Sequence, residues 1–223
     1  MKPDPAQEAS RIFKMLEFER KLWERGFKYV AGIDEAGRGP LAGPVVAAAV
    51  IFPEDIFIPF INDSKKITPE TREDLYEAIL WKARAYGIGI ATVEEIDELN
   101  ILQASYLAMR RAIANLRVHP QYLLVDGRDF PDTTIPCTPI VDGDELCFSI
   151  AAASILAKVT RDRIMCELDQ KFPVYGFARH KGYATRAHLE AIERYGFSPV
   201  HRKSFHPKRF TECQTSLERD ASE

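Results

Sequence analysis

The chain has 223 residues, 46% of them hydrophobic, which suits one well-buried domain and is short for two. No apolar run is long enough to span a bilayer, and the N-terminal MKPDPAQEAS lacks the apolar stretch of a signal peptide, so a soluble cytoplasmic protein with no membrane partner is expected. The net charge of −3 hides an asymmetry: residues 176–210 carry eight cationic side chains (Arg179, Lys181, Arg186, Arg194, Arg202, Lys203, Lys208 and Arg209) against Glu190 and Glu193, a local footprint for a polyanion.

Residues 8–25 place Ile12, Met15, Leu16, Leu22 and Trp23 at helical spacing, with Gly26 as the stop. This predicts one amphipathic helix that packs on the domain without supplying chemistry. The apolar run from Tyr29 to Ile33 then delivers two adjacent carboxylates, Asp34 and Glu35, into the turn Gly37-Arg38-Gly39. Buried acids are costly unless ions or hydrogen bonds satisfy them, and glycines flanking an arginine let main-chain N–H groups approach a ligand closely. Val45 to Phe52 and Tyr86 to Thr92 read as buried strands, with a helix starting at Thr68-Pro69 between them. Thr92 to Glu95 and Asn100 to Gln103 resemble capping boxes, predicting a short helix and then one over about 101–116. Tyr122 to Val125 is a strand ending on Asp126-Gly127, and Thr138 to Val141 is a last strand before Gly143-Asp144. A long helix is expected over 146–171, through Ala151, Ala152, Ala153 and Ser154, followed by a capped helix from Thr185 to Tyr195 stopped by Gly196. The alternation implies an α/β sheet with a helical C-terminal part.

Asp34, Asp126 and Asp144 all stand where apolar strands give way to glycine, and acids at one sheet edge can converge as hard oxygen ligands for Mg²⁺ or Mn²⁺. Glu35 can join them only if its strand ends or twists there, because successive strand residues point to opposite faces. An isolated Asp-Gly pair is an ordinary turn former, and Asp129, Asp132, Asp142 and Glu145 lie close by; spacing alone does not separate Asp142 from Asp144. GRGPLAG is not a dinucleotide fingerprint, since its glycines are misplaced and a strand follows where a helix should. Cys137, Cys147, Cys166 and Cys213 form no CxxC pair and read as reduced thiols without a zinc site.

Five ordered segments, GIDEAGRGPLAGPVVAAAVI (32–51), DSKKIT (63–68), LLVDG (123–127), GDELCFSIAAASILAKVTRD (143–162) and YGFARHKGY (175–183), resemble the ribonuclease HII family across roughly residues 28–205. The resemblance implies a ribonuclease H-like fold, a mixed central β-sheet flanked by helices, in a catalytic domain over 28–210. A helical extension (1–27) would precede it and a tail (211–223) follow it. It further implies that Asp34, Glu35, Asp126 and Asp144 form an acidic quartet holding two Mg²⁺ or Mn²⁺ ions, one activating water and the other neutralising the leaving 3′ oxygen. Gly37, Arg38 and Gly39 would contact the 2′-hydroxyl, and Tyr183 would stack beside the sugar at an RNA-to-DNA junction. Lys65, Lys66, Lys158, Arg179 and Lys181 are the candidate phosphate contacts, although Lys158 could equally form an exposed pair with Asp162. The implied activity is endonucleolytic cleavage of the RNA strand of RNA–DNA hybrids, including at single ribonucleotides in duplex DNA, by a monomer with no obligate protein partner. Ribonuclease HIII is the nearest alternative; Arg38 and Asp144 speak against it. A non-catalytic nucleic-acid-binding module would not need the quartet, and a junction resolvase or transposase on the same fold would lack the GRG and HKGY elements.

Overall fold

The computed structural model describes residues 4–131 and 133–205; Asp132, His206, Lys208, Arg209, Cys213 and the proposed tail lie outside the described residues. Helices α1 (Pro5–Met15) and α2 (Glu17–Glu24) stand where one helix was expected. The break at Leu16 lets α1 bury Ile12 and Met15 in one apolar cluster while α2 buries Leu22 in another. Strands β1 (Val30–Ala36), β2 (Val45–Ile51) and, after helix α3 (Pro69–Lys82), β3 (Ala85–Ala91) form an antiparallel meander. Helices α4 (Val93–Leu99) and α5 (Ile101–Ala114) lead to β4 (Tyr122–Asp126) and β5 (Cys137–Ile140), which add in parallel on the far side of β1, giving the order β3-β2-β1-β4-β5. The capping box at Thr92 is complete, and Asn100 caps α5 by accepting from the N–H groups of Leu102 and Gln103. After β5 come α6 (Gly143–Leu146), α7 (Phe148–Lys171), α8 (Phe177–His180) and α9 (Arg186–Tyr195). The predicted helix from 146 therefore starts at Phe148, because Cys147 is extended and separates it from the single turn of α6.

All seven residues of β2 are buried, as the sequence VVAAAVI predicts for a strand covered on both faces. Ala48 and Val50 join the cluster with α7, and Val45, Ala47, Ala49 and Ile51 the cluster with α5. A Cβ at Gly32 of β1 would collide with the main chain of Ser149, and one at Gly87 or Gly89 of β3 with main-chain atoms of α5, so these glycines are where helices lie directly on the sheet. Glu19 of α2 is buried and accepts from the N–H (2.8 Å) and hydroxyl (2.6 Å) of Ser149, closing the exposed amides at the start of α7 from another element. Among the described residues, no helix is long and apolar enough to cross a membrane.

Candidate active site

The carboxyl ends of the parallel strands β1 and β4 lie side by side, and their pairing stops at Ile33↔Val125 while β1 continues against β2 to Ala36↔Val46. Beyond Ile33 the β4 side of β1 is open. Into that gap project Asp34, Glu35 and Asp126, lining a cavity of about 420 Å³. The open edge answers the alternation problem for Glu35, whose side chain reaches the cavity although it follows Asp34 by one residue.

Asp34 is 5% exposed; its carboxylate accepts from the Glu35 N–H at 2.7 Å and from the Ser154 hydroxyl, which also lies 3.0 Å from the Ser64 hydroxyl. Burial pushes its pKa well above the carboxylate range, and the charges of Glu35 and Asp126 push the same way. Glu35 is raised by burial despite the Arg38 guanidinium 3.2 Å away. Asp126 is raised by burial although it accepts from the Gly143 N–H at 2.7 Å. Asp144 is raised by burial too, with Lys65 3.3 Å from its Oδ2. These four acids share a single region, with Arg38 and Lys65 as the cations against them. Among the described residues, Glu35 Oε2 is buried without a hydrogen-bond partner. An unsatisfied buried oxygen among carboxylates that resist ionisation fits hard divalent cations. As the side chains stand, no three acidic, histidine or cysteine groups among the described residues lie within reach of one ion.

Fold context separates the acids that spacing left equivalent. Asp144 is buried, whereas Asp142 is exposed in a left-handed turn (φ 55°), and Asp129 and Glu145 are exposed. Gly37, Arg38, Gly39, Lys65, Lys158 and Tyr183 line the same cavity, and the ring of Tyr183 lies beside Gly39. Lys158 pairs with Asp162 at 2.7 Å; this pair is largely buried, not exposed, and burial lowers the pKa of the lysine. Lys66 instead turns to Glu145 at 2.6 Å. Arg179 and Lys181 lie in a separate hollow with Arg72, Asp162 and Arg163, and Lys181 Nζ already donates to the Ala178 carbonyl at 2.6 Å.

The cationic footprint over 176–210 is narrower than the sequence implied, because Arg202 is 1% exposed and points inward. It donates to the carbonyls of Gly37 (2.6 Å), Arg38 (2.9 Å) and Gly43 (2.8 Å). Arg161, equally buried, donates to Pro44 (3.0 Å), Ala42 (3.1 Å) and Lys181 (3.0 Å), and its guanidinium fills the space a Cβ at Gly37 would need. Two buried arginines thus hold the Gly-Arg-Gly turn and join it to the loop that carries Tyr183. Sequence reasoning missed both, along with Ser64 and Ser154; no local pattern marks an arginine as internal.

The family model described as Ribonuclease HII matches residues 31–213. A curated relative, Ribonuclease HII of Desulfitobacterium hafniense, is 56% identical over 200 residues, covering 90% of this chain and 77% of its own. The crystal structure of the ribonuclease H2 from Pyrococcus horikoshii is 31% identical with a TM-score of 0.68, over 83% of this chain and 98% of that one. Equally similar in shape, with a TM-score of 0.68 at 27% identity, is the chain in the PCNA:RNase HII complex from Archaeoglobus fulgidus, covering 81% of this chain and 96% of that one.

Proposed function

The chain belongs to the ribonuclease HII family, a metal-dependent group of ribonuclease H-type endoribonucleases acting on RNA–DNA substrates, and from that premise we propose that it also cuts 5′ of single ribonucleotides embedded in duplex DNA, leaving 5′-phosphate and 3′-hydroxyl ends. Its role would be removal of misincorporated ribonucleotides and RNA primers in the cytoplasm, as a monomer needing no protein partner. The observation that carries this reading is the acid cluster beside the Gly-Arg-Gly turn, with its unsatisfied Glu35 oxygen.

Asp34, Glu35, Asp126 and Asp144 would hold two Mg²⁺ or Mn²⁺ ions, which when bound supply Lewis-acid stabilisation of the phosphate and an activated water. The main chain of Gly37 and Gly39 offers donors and acceptors to a 2′-hydroxyl, the one group distinguishing RNA from DNA at a given nucleotide. Arg38 and Lys65, both largely exposed at their ends, can leave their carboxylates and meet backbone phosphates. Tyr183, with 47% of its surface exposed, presents a ring against which a sugar can rest. Lys66, Lys158, Arg179 and Lys181 complete the proposed phosphate contacts.

The test is cleavage of two end-labelled duplexes, a continuous hybrid and DNA with one ribonucleotide, with and without chelator, followed by analysis of the ends. Cleavage of the second substrate 5′ of the ribonucleotide, lost on chelation and restored by Mg²⁺ or Mn²⁺, is expected; an intact single-ribonucleotide substrate alongside a cleaved hybrid would refute the junction claim. Arg179 is exposed and Lys181 is held by Ala178, so Arg179→Ala should flatten the log–log salt dependence of hybrid affinity by roughly 0.9, and Lys181→Ala by less. An unchanged slope for both would exclude this hollow from the duplex footprint.

A further inference from the structure

Beneath the Tyr183 loop lies a group of histidines outside the carboxylate cavity. His188 and His201 are 0% and 2% exposed, and the ring of His180 stacks on His188 with centroids 4.4 Å apart. Their hydrogen bonds fix every proton. His201 Nδ1 accepts from the Ser198 N–H at 2.9 Å, and a ring nitrogen that accepts carries no proton, so the proton of His201 is on Nε2. That Nε2 faces His188 Nε2 at 3.0 Å, which must therefore be the acceptor, leaving the proton of His188 on Nδ1. His188 Nδ1 lies 2.9 Å from the Tyr183 carbonyl, which can only accept. His180 follows the same logic: Nδ1 accepts from Gly182 N–H at 3.2 Å, so Nε2–H donates to the Tyr175 carbonyl at 2.7 Å.

We propose that His188 and His201 are positioning residues for Tyr183, forming one directed chain of hydrogen bonds, Ser198 N–H to His201 to His188 to the Tyr183 carbonyl, that sets the height of the tyrosine ring beside Gly39. The proposal rests on the reading that Tyr183 meets the sugar at an RNA–DNA junction. The chain has no slack: a second proton on His188 would set two N–H groups head to head at 3.0 Å, and one on His201 would face the Ser198 N–H at 2.9 Å. Burial keeps both rings neutral by lowering their pKa to about 4, and among the described residues the titratable side chains whose rings pack on the pair are His180 and Tyr175. The Tyr183 carbonyl also accepts from the Thr185 N–H at 2.8 Å, and the neighbouring Gly182 carbonyl accepts from Leu41 N–H at 2.8 Å, so the loop is tied toward the Gly-Arg-Gly segment on its other side.

Nitrogen-15 NMR of the full chain with labelled histidine tests the chain directly. Around neutral pH, His188 should be the Nδ1–H tautomer and His201 the Nε2–H tautomer; His188 protonated on Nε2, or either ring cationic, would overturn the proposal. Its consequence is read in kcat/KM on the two duplexes. His188→Gln, whose amide takes the place of Nε2, should lose about tenfold more at an isolated ribonucleotide than within a hybrid, the scale expected for a group displaced by a fraction of an ångström. His188→Asn puts an N–H donor near the place of Nδ1 and should restore most of that loss. Tyr183→Ala measured in parallel separates the two readings. If it damages both substrates equally, the role of Tyr183 at the junction fails; if it is selective while His188→Gln is not, the positioning role fails.

Discussion

Asp126→Asn is expected to abolish turnover, by on the order of a thousandfold or more, while leaving the protein folded and thermally firmer in the presence of chelator. Asparagine keeps an oxygen to accept from the Gly143 N–H, so the packing of α6 against β4 is retained. What disappears is a carboxylate whose pKa is raised by burial. A carboxyl with a folded pKa above its unfolded value contributes stability that is fully present below the unfolded pKa and is lost as pH rises through the folded pKa. At neutral pH the charged Asp126 therefore opposes folding, and removing the charge relieves it. The unmodified protein in chelator should become more stable as the medium is acidified from neutrality into the carboxylate range, and the variant less so. Mg²⁺ or Mn²⁺ should raise the Tm of the unmodified protein by mass action and that of the variant less. Asp34→Asn should behave alike, since burial and the charges of Glu35 and Asp126 raise its pKa further. Asp142→Asn is the control: the residue is exposed, its left-handed backbone suits asparagine, and activity should be unchanged. Substantial turnover by the Asp126 variant, or a loss in the Asp142 variant of the same size, would sink the assignment.

Arg202→Met should destabilise the fold by about 3–5 kcal/mol, because methionine replaces the stem and leaves several buried carbonyls without donors. For a chain of this size that corresponds to a fall in Tm of roughly 10 °C. Arg202→Lys should recover little, since one ammonium cannot reproduce a planar fork spread over the carbonyls of Gly37, Arg38 and Gly43. Thermal unfolding and the salt dependence of hybrid affinity together decide the matter. A variant with unchanged Tm and a flatter salt slope would mean that Arg202 faces phosphate after all.

Much of the architecture follows from short-range pattern. The β2 run VVAAAVI, the capping box at Thr92, the proline start of α3 and the small residues of α7 each act within a turn or a strand, so their consequences can be read from neighbours in the chain. The same holds for the glycine-flanked acids, whose chemistry is written in residue type. Other outcomes depend on partners far away in sequence. Glu35 reaches the cavity because β4 stops pairing at Val125, a fact about another strand. Asp144 and Asp142 differ by burial, which the packing of α6 against β4 decides. The helix over 8–25 divides because its halves bury into different clusters. Most plainly, Arg202 and Arg179 look alike as basic residues of one segment, yet one ends inside the protein on Gly37 and the other in solvent. An arginine's charge and length are fixed by its identity, but whether it is spent on carbonyls or on phosphate is set by the distance to groups some 165 residues earlier in the chain, and only the folded structure fixes that distance.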